Sequence, residues 1–228
     1  MDYLKIKNST ENQADLYFYG DIVGDEWSKW ADTDTAPDDV LRALDQIGNK
    51  KLNIYINSAG GSVFAGLAIY NILKRHKGKK TVYIDGLAAS IASVIAMAGD
   101  KIVIPSNAFL MIHKPWNGVV GNANDLRKMA DDLDRIEEGI MNVYADKLNE
   151  GVDIETIREM VNTETWLNGS EAGKYFNLEV TQANNVAACI TDRIKNYDNV
   201  PEELIEVKDT IDNQNNEVEK LKMQLELL

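Results

Sequence analysis

Ser90 lies in GLAASIASVIAMAG (residues 86–99), a run without charged residues in a chain of formal net charge −13. The run follows the β-rich segment TVYIDG, so we expect the chain to turn at Gly86 and to place Ser90 in the first turn of a helix. The N–H groups of a first turn lack partners within the helix and can stabilise an oxyanion that forms on a substrate. The pattern favours acyl transfer, with Ser90 as the nucleophile. The alternative is that Ser90 only caps a closely packed helix, in which Ser93, one turn later, is a packing residue.

A serine hydroxyl needs a base to remove its proton, and histidine is the usual base near neutral pH. Of the two histidines, His76 lies in the basic segment LKRHKGKK at the end of a predicted helix, where it complements the helix dipole. His113 ends the apolar segment FLMIH at a strand terminus, where active-site residues of α/β folds collect. His113 is therefore the candidate base, with a purely structural histidine as the alternative.

A glycine pair offers donors for the oxyanion. The segment NSAGGS (57–62) follows a predicted strand, and its two glycines let a backbone N–H approach a ligand closely. Gly61 is one candidate donor, and the N–H of Ile91, next to the candidate nucleophile, is a second.

The elements that must position these residues alternate along the chain, which predicts an α/β fold. Strands are predicted at 14–23, 52–57 and 81–86 and as a strand pair within 100–115; helices are predicted at 36–48 and from the glycine pair to about residue 76. A long amphipathic helix is predicted at 122–149, followed by two short helices around TETWLN. Its apolar positions are Leu126, Met129, Leu133, Ile136, Ile140, Val143 and Tyr144.

The composition changes at Pro201, so we divide the chain into a domain at 1–200 and a helical extension at 201–228. The extension has apolar residues at heptad spacing with one polar core position, a pattern typical of a coiled coil. These positions are Leu204, Val207, Ile211, Gln214, Val218, Leu221, Leu225 and Leu228. The alternative is a single helix packed on the domain.

Composition and length exclude several classes of function. The chain has no apolar run of the roughly 18 residues that a membrane span needs, and its first residues lack the apolar core of a signal peptide, so we expect a cytoplasmic protein. The single cysteine, Cys189, cannot form an intrachain disulfide, and two histidines without a Cys/His cluster predict neither a metal site nor a cofactor. The excess of 37 acidic over 24 basic residues argues against nucleic acid or an anionic membrane as a partner.

Three segments, INSAGGSVFAG, GLAASIASVIAMAG and FLMIHKP, resemble the successive signatures of the ClpP serine proteases in order and approximate spacing, within a likeness over residues 15–180. The resemblance implies Ser90 as nucleophile, His113 as general base, and the N–H groups of Gly61 and Ile91 as oxyanion hole. It also implies a ClpP/crotonase-like spiral of ββα units that acts on proteins or peptides. The helix at 122–149 resembles the handle through which protease rings stack, so the implied state is a homo-oligomer.

The same resemblance implies Glu164 as the third catalytic residue. In the family an aspartate lies shortly before an apolar pair and a Glu-Ala helix start, and the matching segment here is TETWLNGSEA (163–172), which has Glu164 at the aspartate position. The alternatives are a solvated loop glutamate, with Asp153 or another nearby acid in its place, or a serine–histidine dyad assisted by Asn162.

Three departures from the housekeeping ClpP pattern resemble the phage and prophage branch, whose members are assigned to prohead maturation. The first strand begins near residue 15, Ala59 replaces the usual proline before the glycine pair, and the heptads follow the domain. The branch implies scaffold or capsid proteins as substrates, and the short N-terminal segment argues against docking to a hexameric AAA+ unfoldase.

Other functions stay open. A housekeeping-like Clp peptidase would act with an ATP-driven unfoldase, and a non-catalytic capsid-assembly factor would keep the fold without the triad. A crotonase-type acyl-CoA enzyme would share the glycines without needing Ser90 and His113 together. A Ser–Lys peptidase would need a buried lysine, supplied by Lys101 or Lys114.

Overall fold

The computed structural model describes residues 5–7, 9–183, 192–202 and 204. The strands in these residues are β1 (Lys5–Lys7), β2 (Gln13–Phe18), β3 (Lys51–Ser58), β4 (Lys80–Ala89), β5 (Lys101–Pro105), β6 (Phe109–Ile112), β7 (Thr165–Asn168) and β8 (Glu179–Thr181). The helices are α1 (Pro37–Ile47), α2 (Val63–Arg75), α3 (Ile91–Ala96), α4 (Ala123–Ala145), α5 (Ile154–Asn162) and α6 (Gly169–Tyr175), with short 3₁₀ helices at Glu26–Ser28 and Asp192–Asn196. The predicted α/β class is confirmed.

The strands form one mixed sheet in the order β1-β2-β3-β4-β5-β8, with β6 and β7 attached beside β4. Parallel pairs join β2 to β3, β3 to β4, β4 to β5 and β6, and β5 to β8. Antiparallel pairs join β1 to β2 and β6 to β7. Parallel strands require crossover connections, and α2 supplies the one between β3 and β4.

The long strand β4 corrects two predictions. Gly86 does not turn the chain, because β4 continues to Ala89 with Leu87, Ala88 and Ala89 fully buried between neighbouring strands. The segments at 101–105 and 109–112 are both strands, but they do not pair with each other. The first half of β4 pairs with β5 and its second half with β6, so the sheet divides along β4.

The first predicted strand, 14–23, is also shorter than expected, because β2 ends at Phe18. Directly afterwards Gly20 passes so close to Thr33 that a Cβ atom at Gly20 would lie 2.6 Å from the Thr33 carbonyl. Ile22 then forms isolated bridges with Thr35 and Gly61. After β2 the chain therefore leaves the sheet and approaches the glycine pair.

The predicted long helix is α4, and its two halves have different surroundings. It begins at the cap residue Asn122 with a capping box to Asp125 and ends at Ala145. Ile140, Met141, Val143 and Tyr144 are buried against the main core, whereas Leu126 in the first half is 48% exposed. The apolar face thus extends beyond the part of the domain that can cover it.

Beyond the gap after residue 183, the described chain packs back onto the domain. Ile194, Tyr197 and Leu204 are buried in a small second cluster together with Ala59, Leu87, Ala89 and Met111. Leu204, the first predicted heptad position, therefore contacts the domain. The other heptad positions and Cys189 lie outside the described residues, so the division at residue 200 stays a prediction.

Candidate active site

The register of the sheet brings Ser90 and His113 together. Ala89 at the end of β4 pairs with Met111 in the parallel strand β6, and the N–H of Ser90 donates to the Met111 carbonyl over 2.9 Å. Because the carboxyl ends of parallel strands point the same way, Ser90 and His113 follow neighbouring strand ends. The Ser90 Oγ lies 2.7 Å from the His113 Nε2, a hydrogen bond between the candidate nucleophile and the candidate base.

Ser90 has a strained backbone. Its φ is 55° and its ψ is −129°, a conformation that non-glycine residues rarely adopt. Although Ser90 precedes α3, its side chain makes no capping hydrogen bond to that helix. The distortion directs the hydroxyl to His113 instead. The structure therefore disagrees with the alternative in which Ser90 only caps the helix.

His113 is suited to accept a proton. Burial lowers the pKa of His113 below its ordinary value of 6.5, and the charge of Glu164 acts against this by raising it. The imidazole is consequently neutral at neutral pH, the state that a general base requires. The other histidine, His76, ends α2 and bonds through its Nε2 to the Lys50 carbonyl, in agreement with its predicted structural role.

The glycine pair lies against Ser90. A Cβ atom at Gly60 would lie 2.7 Å from the Ala89 carbonyl and 2.8 Å from the Ser90 Cβ, so only glycine permits this approach. Around Gly61 the backbone bonds use the carbonyl of Gly60 and the N–H of Ser62, which leaves the Gly61 N–H outside this bridge. Ile91 is the first residue of α3, so its N–H has no acceptor within the helix.

Glu164 is brought near His113 by β7. The antiparallel register pairs Ile112 with Thr165, so His113 and Glu164 each lie one residue beyond the same end of the ladder. The Glu164 Oε1 accepts hydrogen bonds from the Trp166 Nε1 at 3.2 Å and the Asn199 N–H at 2.8 Å. The bonds among the described residues include none between the Glu164 carboxylate and His113. The assignment of Glu164 as third catalytic residue stays a prediction.

Backbone strain also marks this position. Glu164 has a φ of 49°, and Ser90 and Glu164 are the non-glycine residues with positive φ in the described chain. Each such residue costs about 1–3 kcal/mol and persists only where its surroundings hold it, most often at functional sites.

The alternatives named from the sequence are less well placed. The Asp153 carboxylate accepts the Glu155 N–H at the start of α5, and a nine-residue helix, about 13 Å long, separates it from Glu164. Asn162 is exposed at the end of that helix. Neither candidate lysine is buried: Lys101 pairs with Glu179 at 2.6 Å and Lys114 with Glu137 at 3.2 Å.

The contacts of three residues near the site were not predicted from the sequence. Tyr144 on α4 shares a 2.7 Å hydrogen bond with Ser93, whose hydroxyl also donates to the Ser90 carbonyl at 2.6 Å. Tyr197 lies edge-on to the His113 ring with centroids 5.1 Å apart, and Asn199 contacts the Glu164 turn. For Tyr144 the apolar periodicity of α4 indicates burial but not its partner, and no motif marks Tyr197 or Asn199.

A cavity of about 1170 Å³ opens at the candidate nucleophile. Its lining includes Ser90, His113, Gly61, Phe64, Trp116 and Leu133. The cavity is large enough for several residues of a peptide and contains both apolar and charged side chains. Among the described residues, no group of three or more His, Cys, Asp or Glu side chains could hold a metal ion. The described helices include none that is both long and apolar enough to cross a membrane.

The chain matches known proteins over more than half of its length. A family model described as Clp protease matches residues 29–176. The ATP-dependent Clp protease proteolytic subunit of Borreliella afzelii (strain PKo) is 32% identical over 144 residues, which cover 62% of this chain and 72% of that protein. Subunits of the same name from Bacteroides fragilis (strain ATCC 25285) and Ligilactobacillus salivarius (strain UCC118) are 33% and 35% identical, with 59% and 57% of this chain and 66% of each relative covered. The chain belongs to the Clp protease family and is a serine-type peptidase.

Proposed function

We propose that this chain cleaves peptide bonds within protein substrates with Ser90 as nucleophile and His113 as general base. The observation that carries the proposal is the 2.7 Å hydrogen bond between the Ser90 Oγ and the His113 Nε2. The Oγ attacks the scissile carbonyl carbon while its proton passes to the Nε2, and the imidazolium then protonates the leaving amine. Water hydrolyses the resulting acyl-enzyme by the same route. The N–H groups of Gly61 and Ile91 stabilise the oxyanion.

Glu164 is proposed as the residue that orients His113 and stabilises its positive charge. Its Oε1 is occupied by the bonds from Trp166 and Asn199, which leaves Oε2 for the Nδ1–H of His113. An acceptor at Nδ1 fixes the tautomer in which Nε2 can take the serine proton. The positions of His113 and Glu164 at the same end of the β6–β7 ladder and the influence of Glu164 on the His113 pKa support this role.

Labelling with a fluorophosphonate, which reacts with activated serines, tests the nucleophile. We expect a single modified serine, identified by peptide mapping as Ser90, and loss of peptide hydrolysis in proportion to labelling. Two internal controls are Ser93, which lies within α3, and Ser62, which caps α2. Labelling of either one, or full activity after complete labelling of Ser90, would contradict the assignment.

The homo-oligomer is proposed from α4. Leu126 is half-exposed on α4, and Val120, just before the helix, is fully exposed, so the domain does not cover these two apolar side chains. Covering exposed apolar side chains with a second copy of the chain stabilises the assembly. Sedimentation should therefore detect a ring or stacked rings, and a stable, active monomer would exclude this assembly.

For the biological role we propose maturation of phage or prophage heads, with scaffold or capsid proteins as substrates. Ala59 before the glycine pair and the extension from residue 201 are the sequence features that support it. Co-expression with phage scaffold and capsid proteins should yield cleaved products that are absent with Ser90→Ala. A search for cleavage that finds none in assembling proheads would reject this role.

The second candidate role is degradation together with an ATP-driven unfoldase. It is favoured by the relatives, which are named proteolytic subunits of an ATP-dependent Clp protease. Under this role, a stably folded substrate is degraded only when an unfoldase and ATP are added, whereas head maturation requires neither.

A further inference from the structure

The segment at residues 193–202 lies beyond the part of the chain that matches the family model, residues 29–176, yet it contacts the candidate active site. Its anchor is Tyr197, which is buried and donates its hydroxyl hydrogen bond to the carbonyl of Ala59, the residue before the glycine pair. The Tyr197 ring meets His113 and Trp166 edge-on, with centroids 5.1 and 5.9 Å apart. The segment is therefore held on the side of the site where β6 ends and β7 begins.

Two residues after this anchor, Asn199 makes three hydrogen bonds to one short turn. Its N–H donates to the Glu164 Oε1 at 2.8 Å, and its Nδ2 donates to the carbonyls of Thr163 at 2.9 Å and Glu164 at 3.2 Å. The turn that it holds contains one of the two strained non-glycine residues of the described chain. A left-handed conformation at a glutamate needs such external support.

We propose that Asn199 is a positioning residue of the active site: it holds the Thr163–Glu164 turn and one oxygen of the Glu164 carboxylate, so that the other oxygen faces His113. This inference rests on the proposed role of Glu164. Asn199 does not touch the reacting atoms and acts only through Glu164. A segment outside the family domain thereby completes the catalytic geometry, with Tyr197 as its anchor.

The decisive experiment is a double-mutant cycle on peptide hydrolysis with Asn199→Ala and Glu164→Gln. Alone, Asn199→Ala should lower kcat roughly tenfold to a hundredfold, because a small misplacement of a catalytic group has effects of this size. In the Glu164→Gln background the same change should have almost no further effect, because residues that act as a unit are not additive. Asn196→Ala, an exposed asparagine on the same segment, is the matched control and should behave like the wild type.

The pH profile separates positioning from general support of the fold. Asn199→Ala keeps the backbone N–H bond to the Glu164 Oε1 but removes the two Nδ2 bonds that hold the Thr163–Glu164 turn. Since the charge of Glu164 raises the pKa of His113, movement of the released turn away from His113 should shift the acidic limb of kcat/KM to lower pH, as in Glu164→Gln. Should Asn199→Ala fail to fold, the isosteric Asn199→Asp removes the same two side-chain donor bonds and replaces it in the kcat cycle; it too keeps the backbone N–H bond to the Glu164 Oε1.

Some outcomes would reject only the role of Asn199, and another would reject the role of Glu164 as well. Wild-type kcat in Asn199→Ala, or a loss that adds fully to that of Glu164→Gln, rejects the role of Asn199 and leaves the triad intact. An unshifted acidic limb in an impaired Asn199→Ala rejects it as well. Wild-type turnover in Glu164→Gln rejects Glu164 as third catalytic residue, and the role of Asn199 with it.

Discussion

Two serines in this molecule lie at corresponding positions, each between a strand and the helix that follows it, and have different roles. Ser62 follows β3 and precedes α2, and Ser90 follows β4 and precedes α3. Ser62 has an ordinary extended backbone, with φ of −65°, and its side chain accepts the Ala65 N–H as a helix cap. Ser90 has φ of 55°, makes no cap and bonds to His113.

The difference teaches that a strand–serine–helix sequence does not by itself create a nucleophile. Ser62 satisfies the free amides of its helix, as serines at helix starts usually do. At Ser90 the strained backbone turns the hydroxyl away from the amides of α3. The free N–H of Ile91 and the base on the neighbouring strand are then both available to a substrate.

The largest expected effect comes from replacing Ser90 by alanine, and the same replacement at Ser62 is the control. Ser90→Ala should lower peptide turnover by about 10⁴-fold or more, because the nucleophile is lost. Ser62→Ala should leave turnover close to the wild type and lower the free energy of unfolding by about 1 kcal/mol, the usual value of a cap. Steady-state hydrolysis and thermal unfolding of both variants check this. A reversed pattern would place the nucleophile elsewhere.

The next effect concerns two glutamates on either side of β7: Glu164 directly precedes the strand, and Glu171 lies in the first turn of the helix that follows it. Glu164→Gln should lower turnover by roughly 10²-fold or more, because the wrong tautomer of His113 is then favoured. Glu171→Gln is the matched control: its side chain accepts the Asn168 N–H at the start of α6, and a glutamine oxygen does the same. Equal, near-wild-type activity of both variants would leave Ser90 and His113 as a dyad.

A smaller effect appears in the pH dependence. Burial lowers the pKa of His113, so the neutral base is present above a pH that lies below 6.5. The acidic limb of kcat/KM in the wild type should therefore fall below pH 6.5, with activity rising as pH increases through the pKa. In Glu164→Gln the limb should move lower still, because a charge that raises the pKa is removed. A shift to higher pH would contradict the proximity of the two side chains.

The smallest effect on activity is expected at Ser93, the second serine of the uncharged run. Ser93→Ala should leave turnover within about fivefold, but it strands the buried Tyr144 hydroxyl, which costs about 1–3 kcal/mol of unfolding free energy. Adding Tyr144→Phe should recover much of this loss, because removing both partners is nearly neutral. Denaturant unfolding of the single and double variants tests it. A loss of turnover as large as that of Ser90→Ala would reverse the roles of the two serines.

Element types were largely predictable, whereas pairing was not. The helices at 36–48 and 122–149 follow from apolar periodicity and caps, which are local properties. The predictions that Gly86 turns the chain and that β5 pairs with β6 were wrong, because the position of each strand depends on neighbours distant in sequence. Glu164 could be matched only by resemblance to a family, and Asn199 by nothing in its own segment.

The sequence by itself determined the α/β class, the residue types needed for acyl transfer and the family, because these depend on local patterns and on the order of three motifs. Tertiary structure decided which serine faces a histidine and how the Thr163–Glu164 turn is held. The pairing of Ala89 with Met111 decides which serine meets the histidine, and the return of residues 193–202 to the site decides how the turn is held. Both depend on side chains that are far apart in the chain and meet only when the sheet forms, so no local signal encodes them.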